Sequence, residues 1–180
     1  MIYGKLGGMN QHEKSLRRAG FLGEIDTSVA TRDSYSHDAS MFELVPEVVI
    51  FPKHSQDVKT AVSYVQGAKR NQQQISLTAR SGGTDMSGGA INQSIVMDMT
   101  KLDKIHAVTR QSAHAEPGVF YRDFEKATLK QHALMPSYPA SRELCTIGGM
   151  VANNAGGEKS LEFGKTEKFV TSLKVVFGDG

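Results

Sequence analysis

The stretch "ARSGGTDMSGG", residues 79–89, constrains this chain more than any other. Six of its eleven residues are Gly or Ser, so it cannot pack a core. Glycine admits positive φ and lets a ligand approach the main chain closely. Successive inward-pointing N–H groups make an anion-binding concavity. Two readings follow from the residues. One is a flexible surface loop. The other is a cradle for a phosphate or pyrophosphate, led by Arg80 and carrying the hydroxyls of Ser81, Thr84 and Ser87.

The flanking text places this stretch after a strand. "EVVIF" before Pro52 is a β-branched run and predicts a buried strand. "SQDVKTAVSYVQGAKR" predicts a helix with Ser55 as N-cap and Asp57 in the first turn. Its Val58, Ala61, Val62, Val65 and Ala68 share one face. "QISLTA" (74–79) predicts the next strand, completing a βαβ pattern. "SIVMDM" (94–99) predicts another strand, and "KIHAVTRQSAHAEPGV" a strand or hairpin ending at Pro117-Gly118. Residues 121–133 predict a helix, and "VTSLKVVFGDG" an apolar strand with a closing turn. A buried strand before a turn normally leads into a partner strand, so residues 1–180 are expected to be a fragment. Residues 1–40 are polar, with a short helix expected to stop near Gly20 or Gly23.

A second glycine-rich stretch, "TIGGMVANNAGG", joins Thr146 to a Gly pair and Asn153-Asn154 to another. Asn offers both donor and acceptor, so the Asn pair is either a ligand contact or a turn. The two stretches are expected to flank one elongated ligand. The nucleotide motifs GxxxxGK[ST] and GxGxxG are both absent. In "GGEKS" Glu158 separates Gly157 from Lys159, and an acid there would repel a phosphate. A dinucleotide would need another scaffold.

Composition removes several classes. The net charge of +2 comes from 21 basic and 19 acidic residues spread along the chain, with no basic stripe to expect nucleic acid. One Cys excludes an intrachain disulfide framework and suits a reducing compartment. No apolar run is long enough to span a membrane, and "MIYGKLGGMN" lacks a signal-peptide core. The expected setting is cytoplasmic, with room for peripheral membrane association. The six His show no tight metal spacing; His106 and His114 are expected as exposed strand residues. Met97, Met99 and Met150 suit core filling. Arg80 either supports its loop or pairs with a nearby carboxylate.

Five elements in order resemble the flavoprotein fold of vanillyl-alcohol oxidase and p-cresol methylhydroxylase. They are "YSHDAS" (35–40), "PEVVIFPKHSQDV" (46–58), "RSGGTDMSGG" (80–89), "PGV" (117–119) and "PASRELCTIGGMVANNAGGEKSLEFGKT" (139–166). Within that superfamily the chain is most similar to the flavoprotein branch of D-lactate dehydrogenase and glycolate oxidase. The resemblance implies an α+β fold of two small α/β subdomains. It divides the chain into an N-terminal segment, 1–43, and an incomplete FAD-binding domain, 44–180, ending before a substrate domain. It implies that Ser81, Gly82, Gly83, Thr84 and Asp85 wrap the FAD pyrophosphate, with Ser87 and Gly88 nearby and Arg80 leading the cofactor-binding loop. Pro139, Ser141, Thr146, Gly148, Gly149, Asn153, Ala155 and Gly157 would line the rest of the cofactor.

Covalent members carry His where this chain has Thr84, so the resemblance implies non-covalent FAD. Cys145 is expected as a buried structural thiol. The implied reaction is oxidation of a 2-hydroxy acid such as D-lactate or glycolate, with electrons passing to a quinone, another protein or oxygen. The catalytic and metal-binding residues would lie outside residues 1–180, which alone are expected to bind FAD weakly or not at all and not to turn over. The alternatives are an alkyl-dihydroxyacetone-phosphate synthase or other alcohol oxidase, a cell-wall precursor reductase using NADPH, and a non-catalytic nucleotide-binding module.

Overall fold

The computed structural model describes residues 10–180. Of "MIYGKLGGMN", read above for a leader, only Asn10 falls among the described residues. Glu24–Asp26 (β1), Val48–Phe51 (β2), Leu77–Arg80 (β3) and Ile95–Asp98 (β4) form one sheet in the order β1-β2-β4-β3. β2 and β4 are central, with Val48, Val49, Ile50, Ile95, Val96 and Met97 apolar and buried on both faces. They pair in parallel, Val49 opposite Val96, and β3 adds in parallel with Ala79 opposite Met97. β1 closes the other edge antiparallel to β2.

Gln11–Arg18 (α1) and Val29–Ser34 (α2) precede the sheet's centre, and Ser55–Arg70 (α3) links β2 to β3. The predicted apolar stripe of α3 buries Val58, Ala61, Val65 and Ala68 with Leu16 and Phe21 in the main core. The expected βαβ unit is therefore present, with β4 inserted between its two strands.

A second body follows. Ile105–Val108 (β5) and Ala113–Ala115 (β6) form the hairpin, and Tyr121–Leu129 (α4) packs beside it. Ile147–Ala152 (α5), Ser160–Phe163 (α6) and a 3-10 turn at Thr166–Phe169 complete it. Its own core gathers Val119, Tyr121, Phe124, Tyr138, Cys145 and Met150. The hairpin brings the rings of His106 and His114 to 4.7 Å, on an exposed face.

Four expectations shift. The strand predicted at 74–79 starts at Leu77, because its ladder partner in β4 begins at Ile95. The N-cap of α3 is His54 rather than Ser55. The helix predicted to 133 ends at Leu129, where His132 turns left-handed at φ 54° and the Ala133 amide donates back to Thr128 O at 3.1 Å. The closing strand does not form: no described strand lies alongside 170–177 to complete a ladder, and Leu173, Val175 and Phe177 are exposed. Only Val176 of that run packs on the main core.

Asp57 joins three segments of the first body. Its buried carboxylate accepts from the amides of Leu22 at 2.7 Å, Lys53 at 2.9 Å and His54 at 3.3 Å. Burial works to raise its pKa, but these amide donors outweigh burial and hold it below the ordinary aspartate range. A folded pKa below the unfolded value stabilises above the unfolded value and is lost as pH falls through the folded one. Asp57→Asn should therefore cost about 1–3 kcal/mol near neutral pH. In urea unfolding, its deficit against wild type should shrink below about pH 4; a deficit constant with pH would contradict the assignment.

Candidate functional site

The carboxyl ends of parallel strands are where open α/β sheets leave a crevice. Here β3 runs into the loop 81–89, and β4 runs into Met99, whose amide donates to Arg80 O at 2.8 Å. Between this end of the sheet and α5 lies a cleft of about 980 Å³.

The loop builds one wall. Asp85 folds its carboxylate back to accept from Ser87 N at 3.1 Å, Ser87 Oγ at 2.7 Å and Gly89 N at 2.7 Å. The Ser87 hydroxyl and the Gly89 amide lead in holding the Asp85 pKa low, so it stays ionised and committed to the loop. This turn leaves a run of main-chain donors unused. The amides of Gly82, Gly83, Thr84, Asp85 and Met86 reach no protein acceptor among the described residues. Gly83 sits at φ 65°, a conformation that L side chains rarely adopt. Arg80 closes the loop's base: Nη1 donates to Ala90 O at 3.3 Å, and its guanidinium stacks over Tyr35 at 5.0 Å. Of its two expected roles, supporting the loop is the one formed; it makes no ion pair among the described residues.

The facing wall is helical where the sequence reading had a second glycine loop. Thr146 caps α5, with Oγ1 accepting from Gly149 N at 3.3 Å. The Ile147 and Gly148 amides donate to Val119 O and Pro117 O, each at 2.8 Å. The start of α5 thus offers surface rather than donors. Asn153 ends the helix, exposed, while Asn154 Oδ1 accepts from Glu167 N at 3.0 Å. The Asn pair therefore divides its work, one residue facing the cleft and one fixing a turn.

Two contacts clamp the walls together. Ser81 Oγ and Thr146 Oγ1 share a hydrogen bond of 2.5 Å. Gly82 lies so close to the Leu144 carbonyl that a Cβ there would stand 2.2 Å from its oxygen.

The structure brings the expected site residues together around this cleft, except Gly88 and Gly157. Gly88 faces the Phe42 ring, and Gly157 backs onto the Tyr138 carbonyl. Pro117, Met99, Met150 and Gly156 also line the cleft and were not singled out as site residues. Pro117 had a signal, since "PGV" was among the matching elements; the others are ordinary in sequence. Cys145 is buried, and burial pushes its thiol pKa up, as a structural thiol requires.

Residues 46–180 match the family described as FAD binding domain. The chain belongs to this family.

The chain is 32% identical over 175 residues to D-2-hydroxyglutarate dehydrogenase of Escherichia coli (strain K12), covering 93% of this chain and 16% of that protein. It is 30% identical over 167 residues to D-lactate dehydrogenase of Archaeoglobus fulgidus, covering 88% and 36%. It spans well under half of either relative. The structure of an alkyldihydroxyacetonephosphate synthase overlays with a TM-score of 0.79 at 20% identity, covering 99% of this chain and 37% of that one. That likeness bears out the mixed α/β fold.

The Ser81–Thr146 clamp makes a prediction. Thr146→Ala removes both the cap of α5 and the bond between the walls, and should cost about 1–2 kcal/mol in chemical denaturation. Thr146→Ser keeps the hydroxyl and should recover most of that loss; equal losses in the two variants would contradict the clamp.

Proposed function

We propose that the amides of residues 82–86 hold the pyrophosphate of a non-covalently bound FAD, and that the whole protein oxidises a 2-hydroxy acid. The observation that carries the first part is the run of unused main-chain donors, which the Asp85 turn keeps pointed away from protein acceptors. Such a run suits a dianionic chain, and the Arg80 charge at its base adds to the attraction. Asp85 keeps its negative charge, but its carboxylate is held by the Ser87 and Gly89 donors of its own turn. The remainder of the FAD would lie along Pro139, Ser141, Gly148, Gly149, Asn153 and Ala155, a wall of small residues that permits close approach. Thr84 has no ring nitrogen with which to tether a flavin.

FAD, when bound, supplies the two-electron acceptor chemistry that no side chain can provide. The part this chain plays is to bind, orient and shield that cofactor. The 2-hydroxy acid class is supported by the relatives, which are a D-2-hydroxyglutarate and a D-lactate dehydrogenase. A reducing, cytoplasmic setting fits the single buried thiol. No helix of the described residues is long and apolar enough to cross a membrane.

A thermal melt with FAD, with ADP as control, tests the reading. A ligand that binds only the folded state at about a hundredfold over its Kd stabilises by about 2.7 kcal/mol, a shift of roughly 5–10 °C for a domain of this size. FAD should raise the midpoint more than ADP does, and denaturation with acid should release all the flavin to the supernatant. A cooperative melt that FAD leaves unmoved would favour a nucleotide-binding or interaction module without flavin. Gly83→Ala, which forces a side chain into a left-handed position and against Arg80 Nη2, should cut the FAD shift at least by half.

A further inference from the structure

The donor loop has an inner face toward the cleft and an outer face that something must hold. The segment at 35–42 does so, and it lies before residue 46, where the family match begins. Its contacts fall along the whole loop. Tyr35 carries the Arg80 guanidinium on its ring at 5.0 Å, and its hydroxyl donates to the buried Asp98 Oδ2 at 2.6 Å. The ring is further fixed edge-on against Phe51, with centroids 5.9 Å apart. Asp98 stands opposite Arg80 in the β3–β4 register, and its other oxygen accepts from Thr100 N at 2.7 Å. The Ala39 amide donates to Asp85 O at 3.0 Å, at the loop's middle. Asp38 Oδ2 accepts from Ala90 N at 3.4 Å, where the loop ends. Phe42 lies over Gly88, near enough that a Cβ there would sit 3.0 Å from Cδ2.

We infer that residues 35–42 are a brace that sets the donor loop in its binding shape before the ligand arrives, with Tyr35 the main positioning residue. This rests on the reading of the loop as the FAD pyrophosphate site, and carries the cofactor-binding unit back to residue 35 from the 44–180 expected from sequence. The physical reason is that a loop this rich in glycine has many accessible shapes when free. Ordering it on binding would cost affinity, and a brace removes that cost in advance. The brace does so without occupying the loop's inner donors: it accepts from Ala90 N and donates to Asp85 O, and it leaves the amides of 82–86 alone. Tyr35 acts through Arg80 and is not itself among the residues that line the cleft.

The test measures FAD and ADP dissociation constants for the whole wild-type protein and for its Tyr35→Ala, Tyr35→Phe and Phe42→Ala variants, with a ligand-free thermal melt of each. Tyr35→Ala should weaken FAD and ADP together by about tenfold, because both engage the same loop. Tyr35→Phe keeps the stacked ring and should return to within about twofold of wild type, a rescue that general destabilisation would not predict. Phe42 is 54% exposed, so Phe42→Ala should leave the ligand-free melt nearly unchanged while weakening FAD by about threefold. If Tyr35→Ala fails to fold, Phe42→Ala decides. Wild-type FAD binding with all folded variants binding equally well would overturn the brace and leave the loop reading standing. A whole wild-type protein that melts cooperatively but binds no FAD would overturn the loop reading, and the brace with it.

Discussion

The whole cleft depends on two glycine-rich stretches, some 60 residues apart in the chain, meeting at van der Waals distance or less. The meeting is made by the shared hydrogen bond of Ser81 and Thr146 and by the approach of Gly82 to the Leu144 carbonyl. A side chain at position 82 would hold the two bodies apart, because a Cβ cannot stand 2.2 Å from a carbonyl oxygen. Each body has its own apolar core, one under the sheet and one behind α4 and α5. The relative placement of those cores therefore rests in part on a polar junction and a missing side chain. The same Thr146 hydroxyl also caps α5, so the junction and the shape of the facing wall are one feature.

The donor loop follows a consistent electrostatic logic. Two of its hydroxyls and its one carboxylate are engaged by the protein: Ser81 on Thr146, Ser87 on Asp85, and Asp85 also on the Gly89 amide. Besides the Thr84 hydroxyl, what remains without a protein partner among the described residues is main-chain N–H, the group least able to swing away or to change charge. Backbone donors held in place bind an anion with little reorganisation. An acid inside an anion loop looks contradictory in sequence. In the structure its ionised state is what closes the turn that aligns the donors.

Much of this was legible from the residues. The central strands were readable because β2 and β4 are buried on both faces, so their apolar text is continuous and unambiguous. The stripe on α3 was readable from its spacing, since one face of a helix must meet the core. Motifs quoted at 80–89 and 139–166 led to nearly all the lining residues that belong to loops or helix ends. Less legible were features set by partners distant in sequence. The strand at 77–80 takes its start from β4, and the run at 170–177 pairs with no described strand although its composition is strand-like. Gly148 and Gly149 looked like loop residues by propensity, yet the Thr146 cap and the Pro117 and Val119 carbonyls draw them into a helix.

By itself, then, the sequence determined the βαβ pattern and the two glycine stretches, through local composition and periodicity, while its long motifs carried the family resemblance that implied the fold class and the cofactor. Only the tertiary structure decided which donors are free. That property depends on every acceptor within reach, and those acceptors come from across the chain. It likewise decided the role of Arg80, whose ring partner Tyr35 lies 45 positions earlier in sequence and 5.0 Å away in space. Residue types say what a group can bond to; only the packed fold says which of those bonds are already made.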